Sequence, residues 1–331
     1  MPGLKIVFGT AGFNPGRGAF GDVESIKEVL DVLEKNGVKN LDTAQLYGQS
    51  ETLIGKAGAG ANGRFVIDTK SKGGFDLGNA LKPEVLREQA RESIKKLEVK
   101  PVDIFYIHAP DATIPIETWT PVINELYKEG LFKRFGVSNF YPEDVEKVYA
   151  YCKENGYVLP SVFQGNYSAV ARKQDTELFP LLKKLGIAFY VYSPLAGGLL
   201  TKTKEQLLEA ADAGRFTQGR LQMYRQMYVK PSYLEALSDW QNVAEDEGCS
   251  KAELGYRWVS FHSPLKEEDG DAIIFGGSKL SQVEETIQSI RRGPLKPESV
   301  KAIDAIWEKI KHEAPLDNYN SHVALLQQKG A

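Results

Sequence analysis

The sequence has 331 residues, of which 42% are hydrophobic and 26% charged, so the chain can bury a large core and is not a disordered polymer. The 41 Lys and Arg residues nearly balance the 44 Asp and Glu residues, giving a formal net charge of -3. This balance argues against nucleic acid as a main partner. The two cysteines, Cys152 and Cys249, form no CxxC pair or Cys/His cluster, which argues against a disulfide framework and a structural zinc site.

Neither a leader peptide nor a membrane span is apparent in the sequence. The first seven residues contain no apolar signal core, and no run approaches the roughly eighteen apolar residues that cross a bilayer. We therefore expect a soluble, cytoplasmic protein that binds neither membranes nor nucleic acid and holds no metal ion.

Short β-branched runs alternate with longer amphipathic segments along almost the whole chain. The runs predict eight strands, at residues 5–10, 40–44, 65–70, 102–109, 135–139, 161–166, 187–193 and 272–275. The amphipathic segments predict helices, among them residues 23–36, 83–97, 116–129, 142–155 and 176–185. Several strands are apolar nearly throughout, which is typical of a parallel sheet covered on both faces.

Eight such strand and helix units predict a closed (β/α)8 TIM barrel. A doubly wound sheet is the alternative, but its GxGxxG fingerprint is absent, because Gly16, Gly18 and Gly21 have a different spacing. We predict one barrel domain over residues 1–331, with a long loop after strand 7, from 195 to about 231, and an extra C-terminal helix at about 297–312. Ligands of such barrels bind at the loops that follow the C-terminal ends of the strands, so the long loop is a candidate lid. A passive surface loop is the alternative.

Polar side chains stand where the predicted strands end, which is where barrel enzymes place their chemistry. Asp42 ends the second strand with Tyr47 just beyond, Lys70 ends the third, and His108 ends the fourth. Each alone has a structural explanation: a cap, a packed ring, a solvated cation or a buried imidazole.

Together the four residues suit the protonation of a carbonyl oxygen. A tyrosine with the ordinary pKa of about 10 is a poor acid at neutral pH. A nearby ammonium, here Lys70, lowers the pKa of the phenol of Tyr47, and a carboxylate such as Asp42 keeps that ammonium charged. His108 can donate a hydrogen bond that holds the substrate oxygen near the phenol.

The segment Asp42-Thr43-Ala44-Gln45-Leu46-Tyr47-Gly48 resembles the signature of the aldo-keto reductases. The chain is most similar to the aflatoxin aldehyde reductase subfamily, through sequences such as His108-Ala109-Pro110-Asp111, Phe163-Gln164-Gly165-Asn166-Tyr167 and Pro194-Leu195-Ala196-Gly197-Gly198-Leu199-Leu200-Thr201. Such matches extend from about Gly9 to Tyr319. The resemblance implies a barrel that binds NADP(H) across its C-terminal rim and an NADPH-dependent reductase of aldehydes, among them semialdehydes, dicarbonyls and aromatic aldehydes.

The resemblance also implies roles for individual residues. Tyr47 matches the proton donor, Lys70 the residue that lowers its pKa, Asp42 the support of that lysine, and His108 the residue that orients the carbonyl. Tyr192 matches the aromatic ring on which the nicotinamide stacks. The other cofactor contacts implied along this wall are Ser138, Asn139, Gln164, Ser193, Pro194, Leu195, Gly197, Gly198, Leu199, Thr201 and Lys202.

A second candidate cofactor segment follows the eighth strand. Gly276-Gly277-Ser278-Lys279 opens onto a predicted helix, and a glycine-rich backbone before a helix N-terminus can cradle an anion; an ordinary turn is the alternative. By resemblance, Gly276, Ser278, Lys279, Gln282 and Glu285 contact the adenosine 2′-phosphate and adenine. Gln282 replaces the arginine of many relatives, so the predicted preference for NADPH over NADH depends on Lys279 and the overall resemblance.

The long loop contains candidate substrate contacts. A guanidinium near the catalytic tyrosine could grip a carboxylate bidentately, whereas exposed arginines usually only solvate a loop. The aflatoxin aldehyde reductase subfamily, which this chain resembles, reduces semialdehydes that bear an acid. We therefore assign the binding of a substrate carboxylate to Arg225 first and Arg215 second, with Tyr224 beside them. The same likeness suggests a homodimer.

Two other functions are compatible with a barrel. One is a nicotinamide-binding regulatory subunit of the potassium-channel β type with slow turnover, since fold alone does not fix function. The other is a phosphate-sugar isomerase or aldolase in which Lys70 forms a Schiff base. The second leaves Ser138, Asn139 and Tyr192 unexplained, and no channel-binding extension is visible for the first.

Overall fold

The strands close into the predicted barrel. The computed structural model describes residues 3–16, 20–209, 216, 223–321 and 323. These form eight parallel strands in the order β1 to β8, and β1 pairs with β8 to complete the ring. Their bounds are β1 Lys5–Gly9, β2 Asn40–Asp42, β3 Val66–Ser71, β4 Val102–Ile107, β5 Phe132–Ser138, β6 Pro160–Asn166, β7 Ala188–Tyr192 and β8 Ala272–Phe275. The predicted fold class is thus confirmed.

Helices surround the barrel. Within the described residues they are α1 Val23–Lys35, α2 Ser50–Lys56, α3 Pro83–Leu97, α4 Ile116–Lys128, α5 Pro142–Glu154, α6 Gln174–Glu177, α7 Phe179–Leu185, α8 Lys204–Glu209, α9 Met223–Tyr228, α10 Pro231–Glu247, α11 Lys251–His262, α12 Leu280–Arg291 and α13 Pro297–Ile310. The helix predicted over 176–185 is two short helices, since Leu178 leaves helical geometry (φ -122°) and the second helix begins at Phe179, with Pro180 in its first turn. The extra C-terminal helix is α13, as predicted.

Local sequence explains the start and orientation of the helices. The Asp22 side chain caps α1 by accepting a 2.9 Å hydrogen bond from the Ser25 backbone N–H. The buried residues of this helix follow a spacing of three and four along one face: Ile26, Val29, Leu30 and Leu33. The predicted end of α7 is also observed, because Gly186 adopts a left-handed conformation (φ 67°) directly after it.

Two insertions extend the rim of the barrel. The long loop after β7 contains a 3-10 turn over Ala196–Thr201, followed by α8 and α9. Arg215 lies outside the described residues. The segment 317–321, after α13, is also part of the described chain and lies against the rim. The single domain over 1–331 stays a prediction.

The core has an outer and an inner part. Most buried apolar side chains lie between strands and helices. A smaller apolar cluster lies inside the ring of strands, formed by Val7, Ile104, Tyr106, Val162, Tyr190, Ala272 and Ile274. Alternation along the strands directs Asp42 and Lys70 toward this interior as well, so the inner part contains charged groups at its C-terminal end.

Candidate active site

The C-terminal ends of three neighbouring strands bring the four predicted catalytic residues together. Asp42 is the last residue of β2, Lys70 lies one residue before the end of β3, and His108 directly follows β4. Tyr47 lies in the loop after β2, where its backbone N–H donates to the Ala44 carbonyl at 3.0 Å and its carbonyl accepts from the N–H of Ser50 at 3.1 Å. This tight turn directs the phenol of Tyr47 toward the C-terminal ends of the strands.

A buried ion pair lies at the centre of the group. The Nζ atom of Lys70 is 2.7 Å from both Oδ1 and Oδ2 of Asp42 and 2.8 Å from the Thr43 carbonyl oxygen. The lysine is 0% exposed. Burial alone would lower its pKa, but the Asp42 carboxylate, with a smaller effect of Tyr47, outweighs this and raises the pKa of Lys70 above its ordinary value. The lysine therefore stays charged.

Tyr47 and His108 lie against this ion pair. The Lys70 ammonium is 5.4 Å from the centre of the Tyr47 ring. The rings of Tyr47 and His108 meet edge to face, with centroids 5.9 Å apart and an interplanar angle of 79°. A charged ammonium next to a phenol stabilises the phenolate, and an adjacent imidazole can bond the same substrate oxygen.

His108 is neutral in this environment. Burial, and then the positive charge of Lys70, hold the pKa of His108 well below its ordinary value of 6.5. Its Nδ1 atom is buried and has no hydrogen-bond partner in the described part of the chain. A neutral imidazole can donate one hydrogen bond to a substrate oxygen without adding a charge next to Lys70.

The first group of predicted cofactor residues lies beside the same strand ends. Asn139 adopts a left-handed backbone (φ 61°), and its Nδ2 donates to the His108 carbonyl at 2.9 Å and to Ser138 Oγ at 3.1 Å. The Tyr192 hydroxyl donates to Asn139 Oδ1 at 2.6 Å. Gln164 Nε2 donates to Asp42 Oδ1 at 2.8 Å, which the sequence did not indicate. Amides, a hydroxyl and an aromatic ring thus line one wall.

The backbone after β7 turns sharply along that wall. Ser193 (φ 56°), Gly197 (φ 70°) and Gly198 (φ 102°) all have positive φ. A Cβ on Gly197 would lie 2.3 Å from the ring of Tyr224, so only glycine fits there. Thr201 Oγ1 donates to the Gly198 carbonyl at 2.8 Å, and Lys251 Nζ donates to the Lys202 carbonyl at 3.1 Å. Pro194, Leu195 and Leu199 complete this predicted segment.

The predicted phosphate end lies after β8. Gly276 and Gly277 lead to Ser278, whose N–H and hydroxyl both donate to Gln282 Oε1, at 3.1 and 2.9 Å. Lys279 is the N-cap residue of α12, and Glu285 lies further along this helix. Gln282 therefore organises the turn that precedes the helix.

The chain matches a known protein family and several of its members. The profile described as "Aldo/keto reductase family" matches residues 5–308. The chain belongs to the aldo/keto reductase family. It is 38% identical over 320 residues to "Oxidoreductase sirO" of Leptosphaeria maculans, covering 94% of this chain and 95% of that one. It is 38% identical over 307 residues to the human "Aflatoxin B1 aldehyde reductase member 4", covering 89% and 92%.

Family membership confirms that this aldo/keto reductase is an oxidoreductase enzyme, whose family uses nicotinamide cofactors and acts on small carbonyl compounds. The expected similarity to the aflatoxin aldehyde reductases is also confirmed. Among the helices of the described chain, none combines the length and apolar character needed to cross a bilayer.

In this reductase the side chain of Arg225 binds the loop itself. Its Nη1 donates to the backbone carbonyls of Leu207 and Phe216, at 2.8 and 3.0 Å. The neighbouring Tyr224 hydroxyl lies 3.5 Å from Ser193 Oγ and accepts from Asn318 Nδ2 at 3.2 Å. Helix α9 is thus connected to the backbone turn after β7 and to the C-terminal segment.

The C-terminal segment 317–321 also lies at the candidate site. The backbone N–H of Asn318 donates to the Tyr192 hydroxyl at 3.4 Å, and Asn320 Nδ2 donates to the Asn139 carbonyl at 2.8 Å. Tyr319 donates to the Gly74 carbonyl at 3.0 Å. The ring of Phe75 lies between Tyr319 and His108, with both centroid distances 4.9 Å.

The neutral state of His108 predicts a pH dependence of stability. Below pH 6.5 the unfolded chain binds a proton that the folded His108 refuses, so the folded state loses stability as the pH falls. His108→Gln removes this contribution. Urea unfolding at about pH 7.5 and 5.5 should show a smaller acid-induced loss for His108→Gln than for wild type. Replacing the exposed His312 by Gln is the control; an unchanged loss in His108→Gln would contradict the neutral imidazole.

Proposed function

We propose that this enzyme catalyses the NADPH-dependent reduction of aldehydes to alcohols, with Tyr47 as the proton donor. The observation that carries the proposal is the buried Lys70–Asp42 ion pair, whose ammonium lies 5.4 Å from the Tyr47 ring centre at the barrel rim. The names of the relatives, which include aflatoxin B1 aldehyde reductases of human, rat and mouse, support aldehydes as the substrate class.

The chemistry of the wall beside Tyr47 fits a nicotinamide. Ser138, Asn139 and Gln164 offer a hydroxyl and two amides to a carboxamide, and Tyr192 offers an aromatic face. When bound, a reduced nicotinamide supplies the hydride. Gly197, Gly198 and the turn before α12 would hold the phosphates, with Lys279 at the 2′-phosphate.

The chain's own residues carry out the proton transfer. His108 bonds the substrate carbonyl oxygen and holds it at the Tyr47 hydroxyl. Tyr47 passes its proton to that oxygen as negative charge develops, and Lys70 stabilises the phenolate that remains. Asp42 keeps Lys70 charged, and the hydrogen bond from Gln164 orients Asp42. In alcohol oxidation the phenolate takes the proton back.

The mouth of the site suits flat and carboxylated aldehydes. Phe75, which is 45% exposed, forms an aromatic wall with Tyr319, consistent with aromatic aldehydes and dicarbonyls. For semialdehydes we retain Arg225, Arg215 and Tyr224 as candidate carboxylate contacts. Because Nη1 of Arg225 binds two backbone carbonyls, Nε and Nη2 would perform this role. The cytoplasmic location and the homodimer also stay predictions.

The proton donor is tested by Tyr47→Phe, which keeps the ring and removes the acid. NADPH oxidation with an aromatic aldehyde should show kcat lowered by about 10²- to 10⁴-fold. The Kd for NADPH, followed by fluorescence, should barely change, because the phenol acts on the substrate oxygen. Tyr157→Phe, which removes a hydroxyl at the opposite end of α5 from the rim, is the control. Near-normal turnover of Tyr47→Phe would require another acid.

The cofactor preference is tested by comparing kcat/KM for NADPH with kcat/KM for NADH. We expect NADPH to be preferred, since Lys279 supplies positive charge where the 2′-phosphate would lie. Lys279→Ala should raise KM for NADPH more than KM for NADH, whereas Lys266→Ala, on the far side of the barrel, should change neither. Equal or better use of NADH by the wild type would overturn the NADPH preference.

A further inference from the structure

The barrel interior beneath Lys70 contains polar groups that the proposed function does not use. Most (β/α)8 barrels fill this space with branched apolar side chains, and buried polar atoms are nearly always hydrogen-bonded. Here Asn40 Nδ2, Asp68 Oδ2 and the Tyr106 hydroxyl are buried, and none has a hydrogen-bond partner among the described residues. Such exceptions inside a barrel require an explanation.

Asp68 has the most informative position of the three. It is 0% exposed and lies two residues before Lys70 on β3, so both side chains face the interior. Across the β2–β3 pair, Asp68 is in register with Asp42, which places two carboxyl groups on neighbouring strands. In the described chain no Lys, Arg or His nitrogen lies within 4.0 Å of Asp68, whereas Asp42 is paired with Lys70.

The surroundings of Asp68 favour its uncharged form. An ionised oxygen without a donor, removed from water, is far costlier than a neutral carboxyl. Burial, followed by the negative charges of Asp103 and Asp42, raises the pKa of Asp68 well above its ordinary value. Arg134 and Lys5 act in the opposite direction with smaller effects. The titratable groups that interact electrostatically with Asp68 are Lys5 on β1, Asp42 on β2, Lys70 on β3, Asp103 and Tyr106 on β4, and Arg134 on β5.

Asp68 also joins the strands that carry two of the catalytic groups. Its Oδ1 accepts a 3.1 Å hydrogen bond from the backbone N–H of Ile104 on β4. The paired part of β3 and β4 begins at the next position, Thr69 with Phe105. This bond therefore fixes β4, which leads to His108, against β3, which carries Lys70.

We propose that Asp68 is a positioning residue of the reductase reaction: an uncharged carboxyl that ties β3 to β4 below Lys70 and keeps a second negative charge away from the lysine. This inference rests on the proposed function. An ionised Asp68 would place a second negative charge near Lys70 and would raise the pKa of that ammonium further. That second negative charge would repel the Tyr47 phenolate and offset part of the stabilisation that the ammonium supplies.

Substitution of Asp68 separates positioning from charge. Asp68→Ala removes the bond to Ile104 and should lower kcat for aldehyde reduction about 10- to 100-fold, as small displacements of catalytic groups do. KM for the aldehyde and the Kd for NADPH should change little, because Asp68 touches neither. Asp68→Asn keeps an uncharged acceptor of the same shape and should restore most of kcat.

Asp271 provides a matched control. It is buried like Asp68, and its carboxyl accepts backbone N–H bonds from Phe189 at 2.6 Å and Lys266 at 2.9 Å, at the start of β8. Asp271→Ala should lower the unfolding midpoint as Asp68→Ala does, but it should leave kcat of the folded enzyme unchanged. A loss of kcat in both variants would mean that Asp68 is merely structural.

The protonation state of Asp68 is tested by infrared difference spectroscopy at neutral pH, a measurement that does not require turnover. The difference spectrum of wild type minus Asp68→Asn should contain the C=O stretch of a protonated carboxylic acid, which an ionised carboxylate lacks. A carboxylate band in that difference would overturn the proposal, even if Asp68→Ala fails to fold. Wild-type kcat in a folded Asp68→Ala would overturn it equally. If the wild type reduces no aldehyde with NADPH, the proposed function fails, while the infrared band still tests the uncharged state of Asp68.

Discussion

The candidate active site is built around one ion pair that is removed from water. Lys70 is 0% exposed, and Asp42 is 3% exposed. Desolvating both charges costs several kcal/mol per ion, which attraction offsets only when the geometry is good and the remaining polar atoms are bonded. Both carboxylate oxygens of Asp42, the Thr43 carbonyl and the amide of Gln164 meet this requirement. The result is a positive charge that is fixed beside Tyr47 and buried from solvent.

The closed barrel is what makes this arrangement possible. Asp42 and Gln164 are separated by 122 residues, yet closure of the strands into a ring brings their side chains to 2.8 Å. The loops then surround the pair from above. The backbone is left-handed at Asn139, directly after β5, and at Ser193, directly after β7. The segment 317–321 forms hydrogen bonds with Asn139 and with Tyr192. The rim is therefore built from many parts of the sequence around one fixed charge.

The strands and the four catalytic candidates could be predicted because both follow local rules. A buried parallel strand is an apolar run, and a polar residue at its end faces the rim. The short helix α2 and the division between α6 and α7 were missed, since a few residues carry too little periodicity. Strand register and the path of the loops cannot be read from a single sequence. They determine the bond from Gln164 to Asp42, the lack of a charged partner at Asp68 and the contacts of Tyr319. Nor could the sequence indicate that Arg225 binds loop carbonyls.

The central claim is that the Lys70 ammonium makes the Tyr47 phenol more acidic. The most direct measurement is the pH dependence of kcat/KM for alcohol oxidation with NADP+ in wild type and in the double variant Asp42→Asn/Lys70→Met, which leaves no unpaired buried charge. The account predicts that the rise in oxidation moves to higher pH by about 1 to 3 units in the double variant, the usual effect of removing an adjacent opposite charge. A rise at the same pH in both proteins would contradict it.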